Sequence, residues 1–293
     1  SKDKIKVLLL EGISDSAVET LKTAGYQNVE RLTTALDGDA LIEALQETRI
    51  LGIRSRTQIT KQVLEATTRL VAVGCFSVGT NQIDLDAAAS HGIPVFNAPY
   101  SNTRSVVEMA VSEMISLTRR LPVHQKLMHE GVWNKSADGA HEIRGRTLGI
   151  VGYGNIGSQL SVVAEALGMN VIFYDNAEKL ALGNATRMPS RDALLREADI
   201  VTLHVDGRTG NKGFFGREQF AVMKHGAHFL NLSRGFIVDV DALREGLEPG
   251  AIGGAAVVGA AVGAATSAGA VVVRAAVIVR AAVVVRAAVV VRA

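Results

Sequence analysis

The run TLGIVGYGNIGSQLSVVAEALGMNVIFYD, residues 147–175, limits what this chain can fold into more than any other stretch. Gly152, Gly154 and Gly157 fall in G-x-G-x-x-G spacing. An apolar run precedes them, a helical pattern follows, and a second apolar run ends at Asp175. Strand, glycine turn and helix start, in that order, suit a pyrophosphate. The glycines permit a tight turn and close backbone approach, and the helix start supplies unsatisfied N–H groups and partial positive charge. A carboxylate ending the next strand accepts hydrogen bonds from a ribose diol and repels a 2′-phosphate, which favours NAD over NADP. The competing reading is a glycine-rich turn in an unrelated α/β fold. The strand, helix, second strand and acidic residue around the glycines argue against it.

The rest of the chain repeats the same alternation. Short apolar runs at 6–12, 49–55, 70–77 and 93–99 read as strands, with a helix over 14–26 and helical stretches between the others. A long helical region follows at 105–131, broken near Pro122. A second strand series runs through 147–154, 169–175, 198–205 and 227–233, and residues 250–259 read as its sixth strand. This βαβ rhythm predicts an α/β protein of two flavodoxin- or Rossmann-like domains with parallel sheets. The expected division is a substrate-binding domain over 1–99, an NAD-binding Rossmann domain over 100–259 and a low-complexity Ala/Val/Arg tail over 260–293, of unknown fold.

Apolar residues make up 48% of the 293 and charged residues 20%, enough apolar content for a sizeable core. The formal charge of +2 comes from the tail. Residues 250–293 hold four Arg and no acid, leaving 27 basic against 29 acidic residues elsewhere. A near-neutral body has no global attraction for nucleic acid, and none is expected as a partner. One cysteine, Cys75, excludes an internal disulfide and fits a reducing compartment. The opening SKDKIKVLLLEG lacks the shape of a signal peptide. The expectations are a cytoplasmic location, no metal and no membrane.

Three further stretches join the glycine turn: GIRSRTQIT (52–60), GCFSVGTNQIDLDAAASHGIPVFNAPYSNTRSVVEM (74–109) and NLSRGFIVDVDALREGL (231–247). With GVWNKSA (131–137) they resemble the NAD-dependent D-2-hydroxyacid dehydrogenases, and the resemblance extends from residue 1 to about 249. It implies hydride transfer between C2 of a small 2-hydroxy acid and NAD. It implies that Arg234 holds the substrate carboxylate, a task suited to a permanently charged guanidinium fork; the competing reading is a surface ion pair. It implies substrate or phosphate contacts for Arg54, Ser55, Asn102 and Lys135, each of which has the alternative of being an ordinary loop residue. It places Asn155, Ile156, His204, Leu232 and Ser233 beside the cofactor. The competing reading of His204 is a strand-end histidine packed under a loop. A homodimer or tetramer is implied as well, built on the long helix, whose Val106, Val107, Met109, Ala110, Met114, Ile115 and Leu117 exceed one face; the competing reading is that all of them are buried within one chain.

The tail departs from that family. VVVRAAVIVRAAVVVRAAVVVRA (271–293) repeats Arg every six residues on alanine and valine. The resemblance places a family aspartate, glutamate and acid–base histidine at Val258, Gly263 and Arg286. The last acidic residue of the chain is Glu248 and the last histidine His228. The uncharged run 250–273 has the length of a membrane span but is Gly/Ala-rich and only weakly apolar.

Overall fold

A computed structural model describes residues 1–247, 251–257 and 271–274. It divides into two compact units, the first Ser1–Asn102 and the second beginning at Thr103. Every strand pairing in both is parallel.

The first unit holds β1 (Val7–Leu9), α1 (Asp15–Thr23), β2 (Val29–Arg31), α2 (Gly38–Leu45), β3 (Ile50–Ile53), α3 (Lys61–Glu65), β4 (Ala72–Cys75), α4 (Leu85–Ser90) and β5 (Val95–Asn97). The sheet order is β2-β1-β3-β4-β5, the flavodoxin-like doubly wound order. Successive side chains of a strand point to opposite faces, so each strand feeds two cores. Leu8, Leu51, Ile53, Val73 and Cys75 pack on one face of the sheet, Val7 and Leu9 on the other. β2 was not expected from the sequence. It is a three-residue edge strand whose Glu30 and Arg31 are exposed, so it carries no apolar run.

The second unit holds α5 (Thr103–Thr118), α6 (Leu121–His129), β6 (Thr147–Val151), α7 (Asn155–Ala166), β7 (Asn170–Tyr174), β8 (Thr186–Arg187), α8 (Arg191–Glu197), β9 (Ile200–Leu203), α9 (Arg217–Val222), β10 (Ala227–Asn231), α10 (Val240–Leu247), β11 (Ile252–Val257) and β12 (Val271–Arg274). Its strand order is β12-β11-β10-β9-β6-β7-β8. Numbered within the unit this is the Rossmann order extended by one strand, with its reversal between β6 and β9. Leu148, Ile150, Phe173, Ile200 and Leu230 face a layer that includes α5 and α7. Val151, Ile172, Val201, Leu203 and Phe229 face one built from α8, α9 and α10.

The expected helical break is found, and two details differ from the sequence reading. The helical break after α5 falls at Arg120, in the left-handed conformation (φ 56°), and Pro122 sits in the first turn of α6, where its missing N–H costs no hydrogen bond. Val106, Val107, Ala110, Met114 and Leu117 of α5 are buried within this unit and Met109 packs against them, so most of the apolar surplus expected there is consumed internally, Ile115 staying half-buried. Exposed apolar side chains lie further on instead, at Leu121, Met128, Val132 and Trp133. Finally, Val271–Arg274 of the low-complexity tail forms a strand paired in register with Gly254–Val257. Among the described residues, no helix is long and apolar enough to cross a membrane.

Candidate functional site

The C-terminal strand edge of the second unit collects most of the expected residues, around the reversal between β6 and β9. Gly152 follows β6 with φ 94°, and a Cβ there would lie 2.6 Å from the carbonyl oxygen of His204. The His204 N–H donates to the Val151 carbonyl at 2.8 Å, so the two strand ends are stitched where only glycine fits. Gly157, in the first turn of α7, packs against the turn. A Cβ would sit 2.3 Å from the Gly152 carbonyl oxygen. Gly154 differs: it caps α7 with φ −86°, and an added Cβ would meet nothing within 4 Å. The protein leaves open space above Gly154, as a pyrophosphate requires. The N–H groups of Asn155, Ile156 and Gly157 precede the first α-helical hydrogen bond, Ser158 N–H to Gly154 carbonyl at 2.9 Å.

Asp175 ends β7. Its Oδ2 accepts from the Tyr153 N–H at 2.8 Å and its Oδ1 from the Ala177 N–H at 2.9 Å. Two backbone donors fix the carboxylate beside the glycine turn, and each oxygen keeps a lone pair for a ribose hydroxyl. Tyr153 holds this arrangement from beneath and was not singled out from the sequence. It is buried, stacks on Phe173 at 3.8 Å between centroids, shares a 2.6 Å hydrogen bond with Ser161 and accepts from the Leu182 N–H at 3.2 Å. The only sequence signal was an aromatic residue between two turn glycines. Arg187 on β8 donates to the backbone carbonyls of Asp175 and Ala177 at 3.4 and 3.3 Å.

His204 is held with its Nε2 3.0 Å from the Thr202 hydroxyl. Burial pushes its pKa down to about 4, so the ring is neutral at neutral pH. Its Nδ1 is buried and has no hydrogen-bond partner among the described residues. A buried polar atom normally has one. An orphaned ring nitrogen and an open space over Gly154, at one sheet edge, fit a bound dinucleotide.

β10 brings Leu232, Ser233 and Arg234 to the same edge. Ser233 Oγ donates to the Leu203 carbonyl at 2.8 Å, and Asn231 Nδ2 donates to the Arg234 carbonyl at 2.8 Å. Arg234 is half-buried, with its side chain 3.2 Å from the position a Cβ would take on Gly207. Lys135 is exposed in the segment between α6 and β6.

Arg54 and Ser55 belong to the first unit, on the turn after β3. Asn102 is that unit's last described residue, half-buried, with Oδ1 unpartnered among the described residues. The turn at 54–57 is gripped by a residue the sequence reading passed over. Glu11, after β1, accepts from all four backbone N–H groups of Arg54, Ser55, Arg56 and Thr57, at 3.0–3.1 Å. Val258, Gly263 and Arg286 lie outside the described residues.

Comparison with known proteins agrees with this geometry. Residues 111–258 match the model of the D-isomer specific 2-hydroxyacid dehydrogenase, NAD binding domain. The D-3-phosphoglycerate dehydrogenases of Haemophilus influenzae and Escherichia coli K12 are 51% and 49% identical over 256 residues, 87% of this chain. The chain spans 62% of the length of each. Among solved structures, the D-lactate dehydrogenase of Aquifex aeolicus, complexed with NAD and lactic acid, superposes with a TM-score of 0.77 at 25% identity, covering 86% of this chain and 76% of its own. With a glycine turn, a fixed carboxylate and an orphaned histidine nitrogen at a Rossmann reversal inside the matched region, the chain belongs to the D-isomer specific 2-hydroxyacid dehydrogenase family and carries that family's NAD-binding domain.

Proposed function

We propose that this chain binds NAD and D-3-phosphoglycerate as the body of a D-3-phosphoglycerate dehydrogenase, and that it turns over slowly. The observation that carries the cofactor half is the Asp175 carboxylate, fixed by two backbone N–H groups beside an open glycine turn. About 50% identity to D-3-phosphoglycerate dehydrogenases supports the substrate. In this reading residues 1–99 bind substrate and residues 100–259 bind cofactor. NAD, when bound, accepts the hydride leaving C2 of the hydroxy acid.

The remaining roles fall to the chain. The α7 N-terminus holds the pyrophosphate and Asp175 the ribose hydroxyls. Arg234 clamps the substrate carboxylate, and Arg54 and Ser55 take the phosphate, with Asn102 and Lys135 as further contacts. The hydroxyl proton needs a base near neutral pKa. His204 is a poor one, held near pKa 4 with Nε2 engaged by Thr202. His228 stands at the N-terminal start of β10, the edge opposite the glycine turn. No histidine follows it up to residue 293. Lacking a general base typically costs about 10²–10⁴ in rate. A steady-state assay with phosphohydroxypyruvate and NADH tests this. We expect turnover below that of the full-length relatives by about that factor, and equal turnover would refute the missing-base reading. We also propose a homodimer or tetramer in the cytoplasm, associating through the exposed apolar residues of α6 and the segment after it.

A further inference from the structure

The first unit's sheet reverses between β1 and β3, and ligands of doubly wound sheets bind outside the strand ends at such a reversal. Here that position is already filled by the chain's own anion. Glu11 lies just past β1, only 5% exposed, and its backbone takes the left-handed conformation (φ 60°) rarely adopted by residues other than glycine. That conformation turns its carboxylate onto the turn after β3. Oε1 accepts from the Arg54 and Thr57 N–H groups at 3.1 and 3.0 Å, and Oε2 from those of Ser55 and Arg56, both at 3.0 Å. The Arg56 guanidinium approaches Oε2 at 3.9 Å. From the other side, the buried Gln82 donates through Nε2 to the Arg54 carbonyl at 2.5 Å and to the Ser77 hydroxyl at 3.2 Å, tying the turns after β3 and β4 together.

We propose that Glu11 is a positioning residue for substrate binding: it acts as an internal anion that shapes the 54–57 turn, so that Arg54 and Ser55 present their side chains to the phosphate of the substrate. The inference rests on the reading of Arg54 and Ser55 as phosphate contacts. It adds a consequence. All four N–H groups of the turn are spent on Glu11, so a substrate anion is left to side chains and not to the backbone. Burial raises the Glu11 pKa, but the N–H groups of Thr57, Arg56 and Arg54 outweigh it and hold the carboxyl below its ordinary range. The internal anion therefore persists at neutral pH.

Glu11→Gln is the direct probe. It is isosteric, yet it sets an NH₂ donor against two N–H donors where an oxygen had accepted both. The full chain would be titrated calorimetrically with D-3-phosphoglycerate, and separately with NADH followed by nicotinamide fluorescence. We expect Glu11→Gln to raise the phosphoglycerate Kd by about tenfold or more, with the NADH Kd unchanged within about twofold. Glu11→Asp, which keeps the charge, should recover part of that affinity. A general loss of packing would not be rescued by restoring a charge. Phosphoglycerate binding by Glu11→Gln equal to that of the unaltered chain would overturn the role of Glu11 while leaving the Arg54 and Ser55 reading intact. Should the unaltered chain bind NADH but not phosphoglycerate, the Arg54 and Ser55 reading falls and takes this one with it. If Glu11→Gln does not fold, Glu11→Asp decides alone. A raised phosphoglycerate Kd at unchanged NADH Kd supports the role, and an unchanged one overturns it.

Discussion

Glycines at 154 and 157 look interchangeable in sequence and are opposites in structure. Space above Gly154 is empty of protein, so Gly154→Ala should fold with little change in Tm. Its methyl would intrude where a pyrophosphate goes, raising the NADH Kd by about tenfold or more in a fluorescence titration. Gly157→Ala drives a methyl into the Gly152 carbonyl and should cost about 1–3 kcal/mol, read by urea denaturation. The glycine turn and the carboxylate beside it were legible because their determinants are local: the three glycines and Asp175 lie within one strand–helix–strand unit. Glu11 was illegible for the opposite reason. It meets partners 43 to 46 positions away, brought close only by the pairing of β1 with β3. Arg54 and Ser55 were reached through family resemblance alone, since two polar residues on a turn announce no chemistry by themselves.

Elements with buried faces were readable, and those without them were not. β6, β7, β9 and β10 are nearly continuous apolar runs because both faces of a central parallel strand are covered. β2 and β8 are two- or three-residue edge strands with exposed side chains, and they leave no such trace. Over α5 the apolar count was right but its meaning was misread, because a helix packed on both α7 and the sheet buries more than one stripe. Helix ends follow local chemistry. Ser190 caps α8 by accepting from the Ala193 N–H at 3.1 Å, so Ser190→Ala should cost about 1 kcal/mol in a thermal melt.

At the scale of the molecule, two partly buried histidines make stability depend on pH. Burial lowers the pKa of both His204 and His228 from 6.5 to about 4, and for His228 the charges of Arg146 and His141 add to it. The unfolded chain takes up these protons first as pH falls. Their contribution is therefore complete above about pH 6.5 and lost progressively toward pH 4, on the order of 3 kcal/mol for each. Tm measured across that window should fall, and should fall less in His228→Gln. Light scattering should find an assembly larger than a monomer both for the full chain and for the chain cut at residue 259, past the core strand β11; a monomeric shortened chain would assign association to the tail. The central claim, that this chain holds NAD at the β6–β9 reversal through the glycine turn and Asp175, is tested most directly by titrating the unaltered protein with NADH and NADPH while following nicotinamide fluorescence. The account predicts saturable NADH binding, with NADPH weaker by about tenfold or more because the Asp175 carboxylate meets the 2′-phosphate. NADPH binding as tight as NADH, or no saturable binding of either, would contradict it.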